Sequence, residues 1–203
     1  MPVTIRLAAA GDAAGVAAIY ALYCESTSVS FETTAPTADE MAARIATIER
    51  EWPWLVLDVD GRIAGYAYAS RHRERAAYRW AVDTAVYIAE AFQGQGAGRA
   101  LYTTLFALLR RQGYFRVCAG ITLPNAPSVR LHESMGFKPV GVYRRIGFKL
   151  GRWHDVAWYQ AELRPDDGDP APPVALSAVT SIPDSESAFS LGLDQLRLRH
   201  EGR

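Results

Sequence analysis

The sequence predicts an α/β domain built on a mixed, mostly antiparallel sheet of about seven strands flanked by about four helices. Three observations predict it. Strand-like and helix-like runs follow one another in the order βααβββαβαββ, which mixes hairpins with crossover connections. Asp60-Gly61 separates two alternating apolar runs and marks a tight antiparallel hairpin. A glycine-rich turn, Gln93-Gly94-Gln95-Gly96-Ala97-Gly98-Arg99, joins a strand-like run to a helix-like one.

In chain order, Val3 to Ala8 reads as the first strand, and Asp12 can cap a helix with Val16, Ile19, Tyr20 and Tyr23 on its apolar face. Thr37-x-x-Glu40 is a capping box opening a second helix through Met41, Ile45, Ile48 and Trp52, which Pro53 stops. Between them, the Ser- and Thr-rich loop from Glu25 to Pro36 carries Phe31, a candidate wall for a substrate. Trp54 to Val59 and Arg62 to Ser70 form the hairpin around Asp60-Gly61. Arg71 to Arg79 gathers Arg71, His72, Arg73, Arg75 and Arg79 around Tyr78, as either a solvated loop or an anion-recognising one. Then come a strand to Ile88, the glycine turn, a helix with Leu101, Leu105, Leu108 and Leu109 inward, and an apolar strand to Ile121. A short helix from about Ala126 to Met135 and two strands, Lys138 to Phe148 and Trp153 to Leu163, complete a domain spanning residues 1–164. From Pro165 the composition turns to Pro, Asp and Ser, so residues 165–203 read as a largely flexible tail.

The 203 residues suffice for one domain with a full core. Its 22 basic and 22 acidic side chains balance, which leaves no electrostatic footprint for nucleic acid or an anionic membrane. Small molecules are the expected partners. The opening Met1-Pro2-Val3-Thr4 has no basic-then-apolar leader and no run is long enough to span a bilayer, so a cytoplasmic location is expected. Cys24 and Cys118 share no metal-ligand spacing and read as buried thiols, so no metal is expected.

The glycine turn opens a helix, where unpaired amides and the helix dipole favour an anion such as a pyrophosphate. A dinucleotide fingerprint requires different spacing, and a merely tight strand-to-helix turn is the other reading. Asp83 interrupts a strand with Ala81, Ala85 and Tyr87 on its own face. A carboxylate there is either a proton acceptor or a structural acceptor for a nearby amide. His154 and Asp155, as strand neighbours, point to opposite faces and form no dyad. Cys118 has no base placed beside it by sequence.

The element order, Gln93-x-x-Gly96-x-Gly98 after a strand, and Asn125-x-x-Ser128 leading into Leu131-His132-Glu133-Ser134-Met135-Gly136-Phe137 resemble the GNAT N-acetyltransferase superfamily. Leu101-Tyr102-Thr103, Leu123-Pro124-Asn125, Gly147-Phe148-Lys149 and Trp153-His154-Asp155-Val156 narrow the resemblance to the phosphinothricin and methionine sulfoximine N-acetyltransferases, from about Ile5 to Leu163. The resemblance implies a GNAT fold and acetyl-CoA as co-substrate. Its diphosphate is expected on Gln93, Gly94, Gln95, Gly96, Ala97, Gly98 and Arg99, and its pantetheine along the backbone of Val86, Tyr87 and Ile88, near Asn125 and Ser128. Asp83, where the family carries glutamate, is the implied base. His132 is implied to handle the second proton, the alternative being a surface helix histidine. Phe31, Arg73, Arg75 and Tyr78 are the implied acceptor-binding residues, and a homodimer is implied. The expected reaction is acetyl transfer to the amino group of a small amino-acid-like molecule such as L-phosphinothricin or methionine sulfoximine. Another amine or a peptide N-terminus as acceptor, or a non-catalytic acyl-CoA sensor, are the alternatives.

Overall fold

The computed structural model describes residues 2–166, 168–181 and 185–198. Seven strands form one sheet in the order β1-β2-β3-β4-β5-β7-β6, with β1 Val3–Leu7, β2 Trp54–Val59, β3 Arg62–Arg71, β4 Ala81–Ile88, β5 Arg116–Leu123, β6 Lys138–Lys149 and β7 Arg152–Glu162. All neighbours pair antiparallel except β4 and β5. The mixed sheet expected from hairpins interleaved with crossovers is therefore present.

One face of the sheet is covered by α1 (Ala13–Ser26) and α2 (Ala38–Ile48), whose Val16, Ile19, Met41 and Ile45 pack with Trp54, Val56 and Tyr66. The other face carries α3 (Ala97–Gln112), which places Leu101, Leu105, Leu108 and Leu109 against Leu55, Leu57 and Val82. Alternation along β2 thus sends successive residues to opposite cores. Thr37 opens α2 with the expected box: its hydroxyl accepts from the Glu40 amide at 3.2 Å, and its own amide donates to Glu40 Oε2 at 2.8 Å. Asp60 and Gly61 both take positive φ, 56° and 80°, as a two-residue hairpin of the right twist requires. Asp12 departs from expectation. Its side chain makes no cap bond to α1; it receives the Ala9 amide and both terminal nitrogens of Arg6 instead.

The chain beyond Arg164, expected to be a flexible tail, contributes two further helices, α5 (Leu176–Thr180) and α6 (Ser185–Leu193). Residues 167, 182–184 and 199–203 of that stretch lie outside the described residues. The proline run is tied down through its main chain: the Trp80 indole Nε1 donates to Ala171 O at 2.9 Å, Val174 N–H donates to Gln112 O at 2.8 Å, and Gln112 Nε2 donates back to Val174 O at 3.0 Å. Ala188 is fully buried, and Phe189, Leu193, Leu196 and Leu198 pack on the core beneath α3. A segment of polar composition still docks here because few apolar residues suffice when a neighbouring helix already offers a face. No helix among the described residues is long and apolar enough to cross a membrane.

Candidate active site

The parallel pair β4 and β5 is joined only at Ala81–Arg116, Val82–Val117 and Asp83–Cys118, and beyond that point the strands separate. Thr84 Oγ1 reaches across to Cys118 O at 3.3 Å where they part. On its other side β4 remains paired with β3 through to Ile88. Ala89 N–H donates to Ala64 O, so by antiparallel alternation Tyr87 also turns its backbone to β3, while Val86 and Ile88 face the gap. Two of the three residues expected to offer backbone there are so oriented. Ile88 O already accepts the Tyr23 hydroxyl at 2.7 Å, so Tyr23 competes with any ligand at that carbonyl. The Tyr87 side chain is held among Tyr20, Tyr23 and Tyr66, at centroid distances of 5.0, 5.0 and 5.2 Å.

The cleft in this gap is lined by Thr84 to Tyr87, Ala119 to Thr122, Asn125, Ser128, Tyr102, His132 and Val29. Val29, from the loop after α1, was not singled out from the sequence, because nothing local distinguishes it from its neighbours. That loop is fixed by the buried Lys149, whose Nζ donates to Ser30 O at 2.6 Å and Glu32 O at 2.7 Å. Phe31 lies further along the β6–β7 hairpin, its ring against Gly147 and 6.2 Å from His154. It is not brought to the residues of the basic loop.

At the mouth of the gap the glycine turn leads into α3 with Gly94 at φ 71° and Gly96 at φ 83°. The first amides of α3, at Ala97, Gly98 and Arg99, have no intrahelical acceptor and suit an anion. The glycines serve different ends than a common phosphate clearance. Only Gly94 opens onto free space; a Cβ on Gly96 would run into the carbonyl of Gln195, and one on Gly98 would lie 2.8 Å from Leu131 of α4 (Ala126–Ser134). Arg197 N–H donates to Gln95 O at 2.9 Å, so the C-terminal segment braces the turn. Gln93 Nε2 bonds the Tyr23 hydroxyl at 3.2 Å, and Arg99 reaches Ser134 O at 3.4 Å, linking α3 to the end of α4.

Asn125 caps α4 by accepting the Ser128 amide at 3.2 Å, and one turn later His132 is buried at the cleft. Its Nδ1 lies 2.8 Å from Ser128 O, which fixes the proton on Nδ1 and leaves Nε2 to accept from the Tyr102 hydroxyl at 3.0 Å. Burial holds the imidazole below its ordinary pKa, so it is neutral near pH 7. Tyr102 and His132 together form a hydroxyl–imidazole pair able to pass one proton into the cleft. His132 is no surface histidine. Tyr102 had only a family motif to mark it, since its partner lies in another helix.

Asp83 lies at the last paired position of β4, beside Cys118 of β5. Burial raises its pKa, against the lowering pull of His72 and Arg73. Its Oδ1 is 2.7 Å from Nδ1 of His72. Cys118 is close by, and the ligand-capable atoms of His72, Asp83 and Cys118 lie within 4.8 Å of one another. Burial pushes the Cys118 thiol up to about 11, so it is neither a ready thiolate nor a nucleophile at neutral pH. A cavity of about 290 Å³, at the small end for ligand clefts, is lined by His72, Arg73, Cys118, Val140, Tyr143 and Trp158 among others. Arg73 stacks over Trp158 at 5.9 Å, and Tyr78 stands edge-on to His72 at 6.0 Å. Arg75 faces a neighbouring cleft shared with Arg71, Arg79 and Pro172.

The splayed parallel pair, the helix start beside it and the matched sequence define a GNAT acetyltransferase. The chain belongs to this family, whose acetyltransferase (GNAT) domain model matches residues 5–158. It is similar to a phosphinothricin N-acetyltransferase of Streptomyces viridochromogenes, 41% identical over 181 residues, or 89% of this chain and 97% of that protein. It is also similar to the L-methionine sulfoximine/L-methionine sulfone acetyltransferase of Salmonella typhimurium, 34% identical over 161 residues, covering 79% and 94% of the two chains. Among solved structures, a GNAT superfamily phosphinothricin acetyltransferase from Sinorhizobium meliloti in complex with AcCoA superposes with a TM-score of 0.80 at 34% identity, covering 84% of this chain and 94% of that one.

Proposed function

We propose that this chain transfers the acetyl group of acetyl-CoA to the amino group of a small amino-acid-like molecule, with L-phosphinothricin and methionine sulfoximine as the leading acceptors. The observation that carries the reading is the gap between β4 and β5 running from the start of α3 to Asp83. The first amides of α3, with Gln93 to Arg99, hold the diphosphate, and the backbone of Val86 pairs with pantetheine as a missing strand would. Ile88 takes part only where the Tyr23 hydroxyl yields its carbonyl. Tyr102, kept in place by His132, gives a proton to the departing sulfur. Asp83 belongs to the group that accepts the ammonium proton.

The acceptor enters from the cavity between the basic loop and β6. Arg73 recognises its carboxylate or phosphinate by a forked pair of hydrogen bonds, which selects amino acids over lysine side chains. Arg75 and Tyr78 form the outer rim, and Phe31 supports β6 from behind. A homodimer fits the same surface: Val140, Ile146, Phe148 and Trp153 are more than half exposed along the edge hairpin, a row of apolar side chains that a second copy would cover. The test is thiol release from acetyl-CoA across amino acids, L-phosphinothricin, methionine sulfoximine, polyamines and peptides. Turnover confined to free amino-acid-like acceptors is expected. Turnover of peptides with equal efficiency would contradict the acceptor class, and acetyl-CoA binding without turnover would leave a sensor.

A further inference from the structure

The 2.7 Å contact between His72 Nδ1 and Asp83 Oδ1 joins two residues that no single motif connects. His72 follows the end of β3, and Asp83 lies on β4, so the pair is assembled by the β3–β4 register rather than by local sequence. Both side chains are largely shielded, at 16% and 30% exposure. A carboxylate bonded to Nδ1 keeps the proton on that nitrogen and turns the lone pair of the imidazole to Nε2. His72 lines the small cavity beside Arg73, Cys118, Tyr143 and Trp158, and its Nδ1 is taken up by Asp83.

We propose that the proton acceptor of this enzyme is His72, with Asp83 as the residue that fixes its tautomer and stabilises the imidazolium that forms. The proposal rests on the acetyl-transfer reading above. In the step, an N–H proton of the acceptor ammonium passes to His72 Nε2. The freed nitrogen lone pair forms the C–N bond at the thioester carbonyl carbon. The C–S bond breaks with its electron pair on sulfur, which takes the Tyr102 hydroxyl proton, and the second nitrogen proton restores that hydroxyl. His72 then returns its proton to solvent, so one acetamide, one thiol and one released proton result. Besides Asp83, the charged or titratable groups around the ring are Arg73, Cys118, Tyr78, Tyr143 and Tyr159. The Arg73 guanidinium has no acceptor atom, and burial keeps the Cys118 thiol protonated, so neither competes for the proton.

His72→Asn separates positioning from proton transfer, because the asparagine amide still donates to Asp83 yet accepts no proton. With the best acceptor from the panel, kcat should fall by about a hundredfold or more while the KM for acetyl-CoA holds. His72→Ala, checked as folded by circular dichroism, should regain turnover as free imidazole is added. His72→Asn turning over within about tenfold of wild type would overturn the proposal and leave the acetyl-transfer reading standing. Folded His72→Ala that ignores imidazole at every concentration would assign the ring a structural role and overturn it too. Wild-type protein that acetylates no amine would overturn both.

Discussion

Lys149→Met is the sharpest test of how the sheet holds the loop above the cleft. Lys149 Nζ donates to Ser30 O at 2.6 Å, Glu32 O at 2.7 Å and, at 3.4 Å, to Tyr23 O. Methionine keeps the length and removes every donor, leaving carbonyls that are buried and unpaired unless water enters. A hydrogen bond to a charged group contributes about 1.5–3 kcal/mol, and here two are short. The loop has other anchors, Arg44 to Glu32 at 2.7 Å and Tyr20 to Glu32 at 3.0 Å, which keep it from detaching altogether. Partial opening with water admitted therefore costs about 2–4 kcal/mol. For a chain of this size each kcal/mol shifts Tm by about 2–4 °C, so calorimetry should show a fall of about 4–16 °C. Because Val29 on the same loop lines the cleft, the KM for acetyl-CoA should rise with it. A Tm within about 2 °C of wild type would refute the claim that these bonds hold the loop.

Further outcomes concern groups outside or beside the chemistry. Glu49 is pushed up to about 7 by burial and by Asp12, so its folded pKa exceeds the ordinary 4.5. The native state then binds more protons than the unfolded one between those values, and stability is lost as pH rises through that window. Glu49→Gln should therefore be more stable than wild type by about 1–2 kcal/mol near pH 8 after allowing for solvent screening, with no difference near pH 4, as read by urea unfolding. His132 has the opposite sign: its folded pKa is depressed, so wild-type stability should fall as pH drops below the ordinary 6.5, and His132→Gln should flatten that fall. The same variant should lower kcat by about a hundredfold or more with acetyl-CoA affinity retained, checked by steady-state kinetics and calorimetric titration. Truncation after Arg164 should lower Tm and weaken acetyl-CoA binding together, because it uncovers α3 and removes the Arg197 brace on Gln95. A truncated protein of wild-type Tm would show that the two C-terminal helices contribute nothing to the core.

Much of the fold was legible because its signals are local. Thr37-x-x-Glu40, Asp60-Gly61 and the leucine spacing of α3 each act over a few residues, and each appears where the sequence put it. The site was legible in its individual residues but not in its pairings. Asp83 stood out as a carboxylate on an apolar strand and His132 only through the family resemblance, while His72 and Tyr102, their partners, are brought in by strand register and helix packing. The glycine turn was found, yet the reason for Gly96 was hidden, because the carbonyl it avoids belongs to Gln195. Lys149 entered only within the Gly147-Phe148-Lys149 likeness, and its role stayed hidden because its three acceptors are main-chain carbonyls that no sequence displays. The C-terminal helices were missed because Phe189, Leu193, Leu196 and Leu198 show no clean period: α6 ends at Leu193, and the last two pack on the core from the segment after it.

The central claim is that the amino group of a small amino-acid-like molecule receives the acetyl group. Incubating the purified 203-residue chain with acetyl-CoA and L-phosphinothricin, followed by mass spectrometry and NMR of the small-molecule product, tests it most directly. The expected product shows a mass gain of one acetyl group, located on the α-amino nitrogen, together with one equivalent of free thiol. Unmodified L-phosphinothricin and methionine sulfoximine after prolonged incubation, with acetyl-CoA bound and intact, would contradict it.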